Sequence, residues 1–288
     1  MNIKIYRDFL EQLGYKIVQT ESGYWYNHGK FIYFNLPFFK PVNPSKMEIK
    51  KLFLNPTCWG VRFSTTGNLN GKESFMWVCR DKSYGLKNLK SKARNQTRRG
   101  LENCEVEKIT LERLHRYSGE IDADTLKRQG RKINTEYWKH HHKIASRFPG
   151  FEAFGALVNK KLVAYTITFQ MDDCCNILML RSLRDYLKYY PNNSLLYSVI
   201  KMMLSRPEVS MVFFGAESLK RDMESLRHFK ESMGFVKEYI KQRGIIHPLI
   251  SSFVKRFSAN SKIFEPFDKY LKGKDKWEKF LGFVQICK

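Results

Sequence analysis

The run "EVSMVFFGAES" (Glu208–Ser218), followed a few residues later by "LRHFKESMGF" (Leu226–Phe235), decides how the rest of the chain is read. The first is a strand-like apolar run that ends at a glycine. The second has Leu226, Phe229 and Met233 at i, i+3 and i+7, the spacing of one helix face, and Gly234 stands where a helix C-cap needs a left-handed residue. On this pattern Phe229 is a core residue and Lys230 lies beside it. The residues alone also fit a lysine that snorkels to the surface past a core ring.

Outward from this segment, the second half of the chain alternates clearly. "GFEAFGALVN", "KKLVAYTITFQM" and "CCNILMLRSLRDY" read as three successive strands with short turns, an antiparallel meander. "NSLLYSVIKMMLSR" reads as a helix with Leu195, Leu196, Val199, Ile200 and Met203 inward, and "GFVKEYIKQRGII" as the last strand. Before the meander come the short strand "CEVEKIT" and helical stretches over Leu111–Arg128 and Thr135–Phe148. "DKSYGLKNLKSKARNQTRRGLEN" reads as one helix ending near Gly100, with Leu86, Leu89, Ala93 and Thr97 on one stripe and Lys87, Lys90, Arg94 and Arg98 on the next. The first part is strand-rich, with "KFIYFNLPFF", "CWGVRFST" and "SFMWVCR" as its strands. The division expected is 1–103, 104–248 and a tail from 249 to 288. That tail reads as one or two amphipathic helices carrying Phe253, Phe257, Phe264, Phe267, Trp277 and Phe280.

Composition narrows the function classes. The 288 residues carry 51 Lys plus Arg against 28 Asp plus Glu, a net charge of +23, which favours anionic partners: nucleic acid, nucleotide cofactors, phosphorylated substrates or an acidic membrane surface. Six cysteines without a CxxC pair argue against a zinc site or a disulfide framework. His140, His141 and His142 point about 100 degrees apart on a helix and cannot share one ion, so no metal is expected; His141 is read as partly buried and its neighbours as surface. No apolar run reaches the roughly 20 residues of a membrane helix, and the N-terminus lacks the apolar core of a signal peptide. A cytoplasmic protein is the expectation.

The order from Cys104 (strand, two helices, three strands, helix, strand, helix, strand) resembles the GNAT acyltransferase fold, a mostly antiparallel mixed sheet flanked by helices. "FFGAES" with "LRHFKESMGF", and the basic helix before "CEVEKI", are similar to the Fem-type branch, in which a helix carries Phe-Lys shortly before a Gly. The resemblance spans roughly residues 74–243. It implies an α+β fold and leaves room for a degenerate second GNAT-like half in the first hundred residues. It also implies an acyl donor lying where "CCNILMLRS" and "VSMVFFG" splay apart.

That resemblance assigns roles. Lys230 would stabilise an oxyanion where ordinary GNAT enzymes often carry a tyrosine acid, and Glu217 would take a proton from the attacking amine. Glu224 is a second candidate base; read alone, both suit the N-terminal end of the next helix better, Glu224 clearly and Glu217 by a small margin. The donor would be held by Leu180, Arg181, Ser182, Arg184, Lys188, Asn192, Asn193 and Ser194. GNAT enzymes that use acetyl-CoA grip its pyrophosphate with a glycine-rich loop at a helix N-terminus. The matching "LRDYLKYYPNNSLL" has no glycine, which leaves aminoacyl-tRNA, the donor of Fem-type enzymes, beside acyl-CoA. Lys87, Lys90, Arg94 and Arg98 would border an anion or a phosphate backbone, or form a solvated helix face. The rival to an acyltransferase is a non-catalytic basic module on the same scaffold that binds nucleic acid or another polyanion. A nucleic-acid-binding protein of unrelated fold is allowed by composition, but no reader motif supports it.

Overall fold

The computed structural model describes residues 3–28, 31–66, 71–217, 224–251, 282–284, 286 and 287. Along the chain lie α1 (Ile3–Gln12), β1 (Ile17–Thr20), β2 (Gly23–His28), β3 (Ile32–Leu36), α2 (Lys46–Phe53), β4 (Gly60–Thr65) and β5 (Lys72–Cys79). Then come α3 (Ser91–Asn103), β6 (Glu105–Ile109), α4 (Leu111–Tyr117), α5 (Gly119–Arg128), α6 (Thr135–Ala145), β7 (Phe151–Val158), β8 (Lys161–Met171) and β9 (Cys174–Ser182). The last are α7 (Pro191–Ser205), β10 (Met211–Ala216), α8 (Glu224–Ser232) and β11 (Val236–Ile246). The aromatic tail residues Phe253, Phe257, Phe264, Phe267, Trp277 and Phe280 lie outside the described residues. The chain is α+β, with mixed, mostly antiparallel strands flanked by helices. It divides into two compact units, each discontinuous in sequence.

The first unit comprises Met1–Leu13, Trp77–Gly215 and Glu224–Lys237. Its strands follow the order β10-β9-β8-β7-β6, antiparallel except for the β9/β10 pair. In β8 the β-branched and aromatic run Val163–Phe169 is buried at every position, the signature of a strand covered on both faces. α7 packs over β7, β8 and β9 with Leu195, Leu196, Val199, Ile200 and Met203 fully buried, as its periodicity predicts. Parallel pairing of β9 with β10 covers only Cys174–Asn176 against Met211–Phe213. Leu178 and Leu180 on β9, and Phe214 on β10, are each half-buried. The two strands therefore part at their C-terminal ends, where the sequence places the splay.

Two expected elements differ. The basic helix begins at Ser91, not near Asp81, and a 3₁₀ turn at Leu86–Asn88 precedes it. The Asn88 side chain takes the Gly85 N–H at 2.9 Å and bonds Asp81 at 2.6 Å, while the Arg94 guanidinium donates to the carbonyls of Leu86 and Leu89 at 3.0 Å, so local polar groups close the turn instead of extending the helix. Gly100 lies within α3, three residues before its end; a Cβ there would meet the Tyr190 carbonyl oxygen at 2.8 Å, so this glycine permits close approach to α7. The stretch Leu111–Arg128 is two helices that break at Ser118, whose buried side chain bonds Asp122.

The second unit comprises Gly14–Met76, Ala216–Met223 and Glu238–Lys288. Its strands run β1-β2-β3-β4-β11, with β3 and β4 parallel and the others antiparallel. α2, which the alternation of this region hides, is fixed at its start by a capping box between Ser45 and Glu48. Trp25, Tyr33, Leu52, Val61 and Phe63 form its core. Here too the parallel pair is short: Ile32–Phe34 against Gly60–Arg62. Beyond it the segment 37–43 is bonded to both strands. The Asn35 amide donates to the carbonyls of Pro37 and Lys40 at 2.9 and 3.1 Å. Ser64 Oγ donates to the Phe38 carbonyl at 2.6 Å, and the Val42 N–H donates to the Ser64 carbonyl at 2.8 Å.

Candidate functional site

In the first unit, α8 is tied down at its end. Gly234 adopts φ +87° and closes the helix: its N–H bonds the Glu231 carbonyl, and the Phe235 N–H bonds that of Lys230, the paired bonds of a Schellman cap. The Tyr84 hydroxyl donates to the Met233 carbonyl at 2.7 Å, the Lys90 N–H to that of Ser232 at 3.1 Å, and the Asn193 amide meets the Met233 sulfur at 3.6 Å. These bonds set the rotation of α8. Its buried positions are Lys230, Ser232 and Met233, whereas Phe229 is half-buried. The expected order of the two residues is thus reversed: the lysine occupies the interior position and the ring the periphery.

Lys230 is 7% exposed. Its ammonium donates to the Phe214 carbonyl at 2.6 Å and sits 4.6 Å from the centre of the Phe214 ring and 5.9 Å from that of Trp77. Phe214 is the first residue of β10 past its pairing with β9. No carboxylate pairs with Lys230 among the described residues, and burial alone lowers its pKa to about 8. At neutral pH this is a desolvated cation, held by one carbonyl and two aromatic faces, where two parallel strands separate.

The expected donor residues divide into three groups. Arg181 is committed elsewhere: it pairs with fully buried Asp122 at 2.6 Å, and its guanidinium lies 3.8 Å from the Trp138 ring centre. Asp122 also accepts from Ser118 at 3.0 Å and from the Tyr165 hydroxyl. The Ser182 carbonyl and N–H are bonded to Thr125, and Leu180 lies half-buried on β9 where it diverges. Asn192 donates to the Ser182 hydroxyl at 3.0 Å, Asn193 to Met233, and Ser194 to the Pro191 carbonyl at 3.2 Å. The start of α7 is also short of free amides. Pro191 has no N–H, and the Asn193 and Ser194 amides both bond the carbonyl of Tyr190, a residue in the left-handed conformation. A helix start of this kind offers little to a pyrophosphate.

Arg184 and Lys188 are exposed and border an open cavity of about 870 Å³. Lys127 and Arg128 from α5, Lys161 at the start of β8, and Tyr186 and Tyr189 complete its cationic and aromatic lining, with Glu120, Asp124 and Asp185 as the acids. Lys161 is paired with Glu120, and Arg128 with Asp124. Lys127, Lys161, Tyr186 and Tyr189 are absent from the sequence-based set. The signal for the tyrosines was the alternation of rings and cations in "RDYLKYY".

The basic stripe does not survive as one face. Arg94 caps the 3₁₀ turn, Lys90 precedes α3 and pairs with Glu231 at 3.4 Å, and Lys87 lies in the turn; Lys87 and Arg98 are exposed. Arg99, one residue on, is the cation that reaches the α7 segment, 5.1 Å from the Tyr190 ring centre. His142, expected at the surface, is fully buried beside His141, and burial lowers both pKa values, to about 3 and about 4 respectively. Glu224 is exposed at the start of α8. Glu217, one residue past β10, belongs to the second unit, where its carboxylate accepts from Ser74 Oγ at 3.1 Å. Ser74 accepts from the Gln242 amide at 2.7 Å, and the Gln242 carbonyl oxygen accepts from Arg62 at 3.0 Å.

No family model matches the sequence, and no curated protein does. Solved structures do. FemX superposes with a TM-score of 0.59 at 10% identity, over 86% of this chain and 92% of its own. The C-terminal domain of a putative lysylphosphatidylglycerol synthetase from Agrobacterium fabrum gives 0.59 at 10%, over 89% and 95%. L-PGS from Bacillus licheniformis gives 0.56 at 12%, over 83% and 90%. At these identities the likeness is one of fold, and it extends over most of each chain. Taken with the short parallel pair and the splay beyond it, it shows that this chain has a GNAT-like fold, shared with FemX and the lysylphosphatidylglycerol synthetase domain.

Proposed function

We propose that the chain is an acyltransferase that moves an aminoacyl or other acyl group from an activated ester to an amine or hydroxyl by direct attack. The observation that carries this reading is Lys230: a buried ammonium without a carboxylate partner among the described residues, at the point where β9 and β10 separate. As the acceptor attacks, the carbonyl oxygen gains negative charge. A preorganised cation in a dry site stabilises that charge without reorganisation. In water the same lysine would be screened and contribute far less. Glu217, whose carboxylate accepts from Ser74 Oγ at 3.1 Å, is proposed as the acceptor of the attacking group's proton.

Between the two donors, the α7 segment supports the tRNA ester. Asn193, Ser194 and the Asn192 amide nitrogen are engaged within the protein, leaving only Asn192 Oδ1 without a partner among the described residues of this turn, and few amides there are free for a CoA pyrophosphate. The cavity edged by Lys127, Arg184, Lys188, Tyr186 and Tyr189 combines cations that pair with no carboxylate among the described residues with rings, the features that hold single-stranded phosphates and bases. The Fem-type resemblance of the sequence implies the same donor, and the chain shares the fold of FemX. CoA thioesters remain the second donor to assay, because the splay itself is the fold's acyl-binding feature.

The test is to incubate the full chain with a bulk mixture of charged tRNAs and, separately, with acetyl-CoA, and to follow deacylation with amine and hydroxyl acceptors present. Loss of the acyl group from one donor, abolished in Lys230→Met, is the expected result. Tight tRNA binding without turnover, equal in wild type and Lys230→Met, would instead establish the basic binding module.

A further inference from the structure

We propose that the second unit docks on an anionic lipid surface through a patch formed by the outer face of α2 and the stacked pair Phe31 and Trp59. On α2, Met47 and Leu54 stand seven residues apart and are 71% and 82% exposed, with exposed Lys50 and Lys51 between them. The inner face of the same helix buries Ile49 and Leu52, so the fold does not need the outer apolar residues. Phe31 and Trp59 stack with ring centres 4.1 Å apart and remain 39% and 44% exposed. His247 links the parts: its N–H bonds the Trp59 carbonyl at 2.9 Å, and its ring lies 4.9 Å from that of Phe53, next to Leu54. Leu249, 83% exposed, donates its N–H to the His247 ring at 3.2 Å.

Single exposed apolar residues are ordinary. Five large ones joined through His247 and the end of one helix are not. The pattern is that of an interfacial helix: apolar side chains that reach below the headgroups, lysines level with the phosphates, and a tryptophan at the boundary. Charge selects the surface, because a chain of net charge +23 with Lys50 and Lys51 inside the patch is drawn to acidic headgroups. The aliphatic residues favour lipid over RNA. Met47, Leu54 and Leu249 offer no ring for a base to stack on and gain only on entering hydrocarbon.

The test is co-sedimentation of the full chain with vesicles of equal phosphatidylglycerol and phosphatidylcholine, and with phosphatidylcholine alone. Binding is expected to the first and not to the second at moderate salt. The charge-neutral double change Leu54→Ser with Leu249→Ser should lower partitioning about tenfold or more, while thermal unfolding stays unchanged because both side chains are exposed. Lys50→Glu with Lys51→Glu should weaken binding further as salt rises. Non-specific attraction by net charge would be indifferent to the serine changes, so unchanged partitioning overturns the proposal. So does absence of binding to the acidic vesicles, or loss of tRNA binding in the serine variant with vesicle binding intact.

Discussion

The two units repeat one arrangement and use it differently. In each, three antiparallel strands lead through a crossover helix to a fourth that pairs in parallel over only three residues: β3 with β4 in the second unit and β9 with β10 in the first. In the second unit the gap beyond that pairing is stitched shut by the segment 37–43, bonded to Asn35 and Ser64. In the first, the strands part beside a buried lysine with no carboxylate partner among the described residues. A gap closed by the protein's own backbone contributes stability; one left with a desolvated cation costs stability, as expected of a site kept for chemistry under the proposed function. Under the proposed function the open gap of the first unit carries the oxyanion-stabilising cation, and the second unit repeats the arrangement with its gap filled.

The largest effect should come from Lys230→Met. Turnover should fall roughly a hundredfold or more, the scale of losing one oxyanion donor, with donor binding nearly intact. Folding should not suffer. A pKa lowered from 10.5 to about 8 means that keeping the buried amine charged at neutral pH costs about 3 kcal/mol, so the melting temperature of Lys230→Met should hold or rise. Lys230→Arg should not rescue turnover fully, because the guanidinium is larger and planar. Normal turnover in Lys230→Met would erase the distinction between the two units.

The counterpart change in the closed gap is Asn35→Ala. Asn35 is buried and serves two carbonyls and the Ser64 N–H, so its loss should cost about 2–3 kcal/mol in denaturant unfolding. Turnover per folded molecule should be unchanged; a catalytic defect there would mean that both gaps take part in the reaction. Next in size, Arg184→Glu with Lys188→Glu should weaken an RNA donor by about tenfold and flatten the salt dependence of its binding, measured by filter retention across salt concentrations.

The pH dependence follows from Lys230 with a definite sign. Its folded pKa lies below its unfolded one, so between about pH 8 and 10.5 the unfolded chain holds a proton that the folded chain has released. This group therefore makes stability rise with pH across that window, while turnover falls as pH passes about 8 and the cation is lost. Lys230→Met should remove this contribution from the stability profile. The smallest effect is expected from Phe229→Ala. With the ring half-buried, the change should cost about 1–2 kcal/mol, less than the 3–5 typical of a fully buried ring, as thermal or chemical unfolding would show.

Periodicity by itself determined the element types of the second half, the meander, the buried face of α7, the strand at Met211–Gly215 and the cap at Gly234, because the side chains that specify these features are near neighbours in sequence. The parting of β9 and β10 came instead from the resemblance of that element order to the GNAT fold. Tertiary structure decided the rest. An i, i+3, i+7 stripe defines a face of α8 but not its rotation about its own axis; bonds from Tyr84, Lys90 and Asn193 set that rotation, and they buried Lys230 in place of Phe229. Arg181 looked free until Asp122, 59 residues earlier, appeared beside it. The basic stripe between Lys87 and Arg98 dissolved because Asn88 and Arg94 close a 3₁₀ turn ahead of α3. In each case the deciding partner is remote in sequence or competes locally for the same backbone groups, and residue spacing records neither.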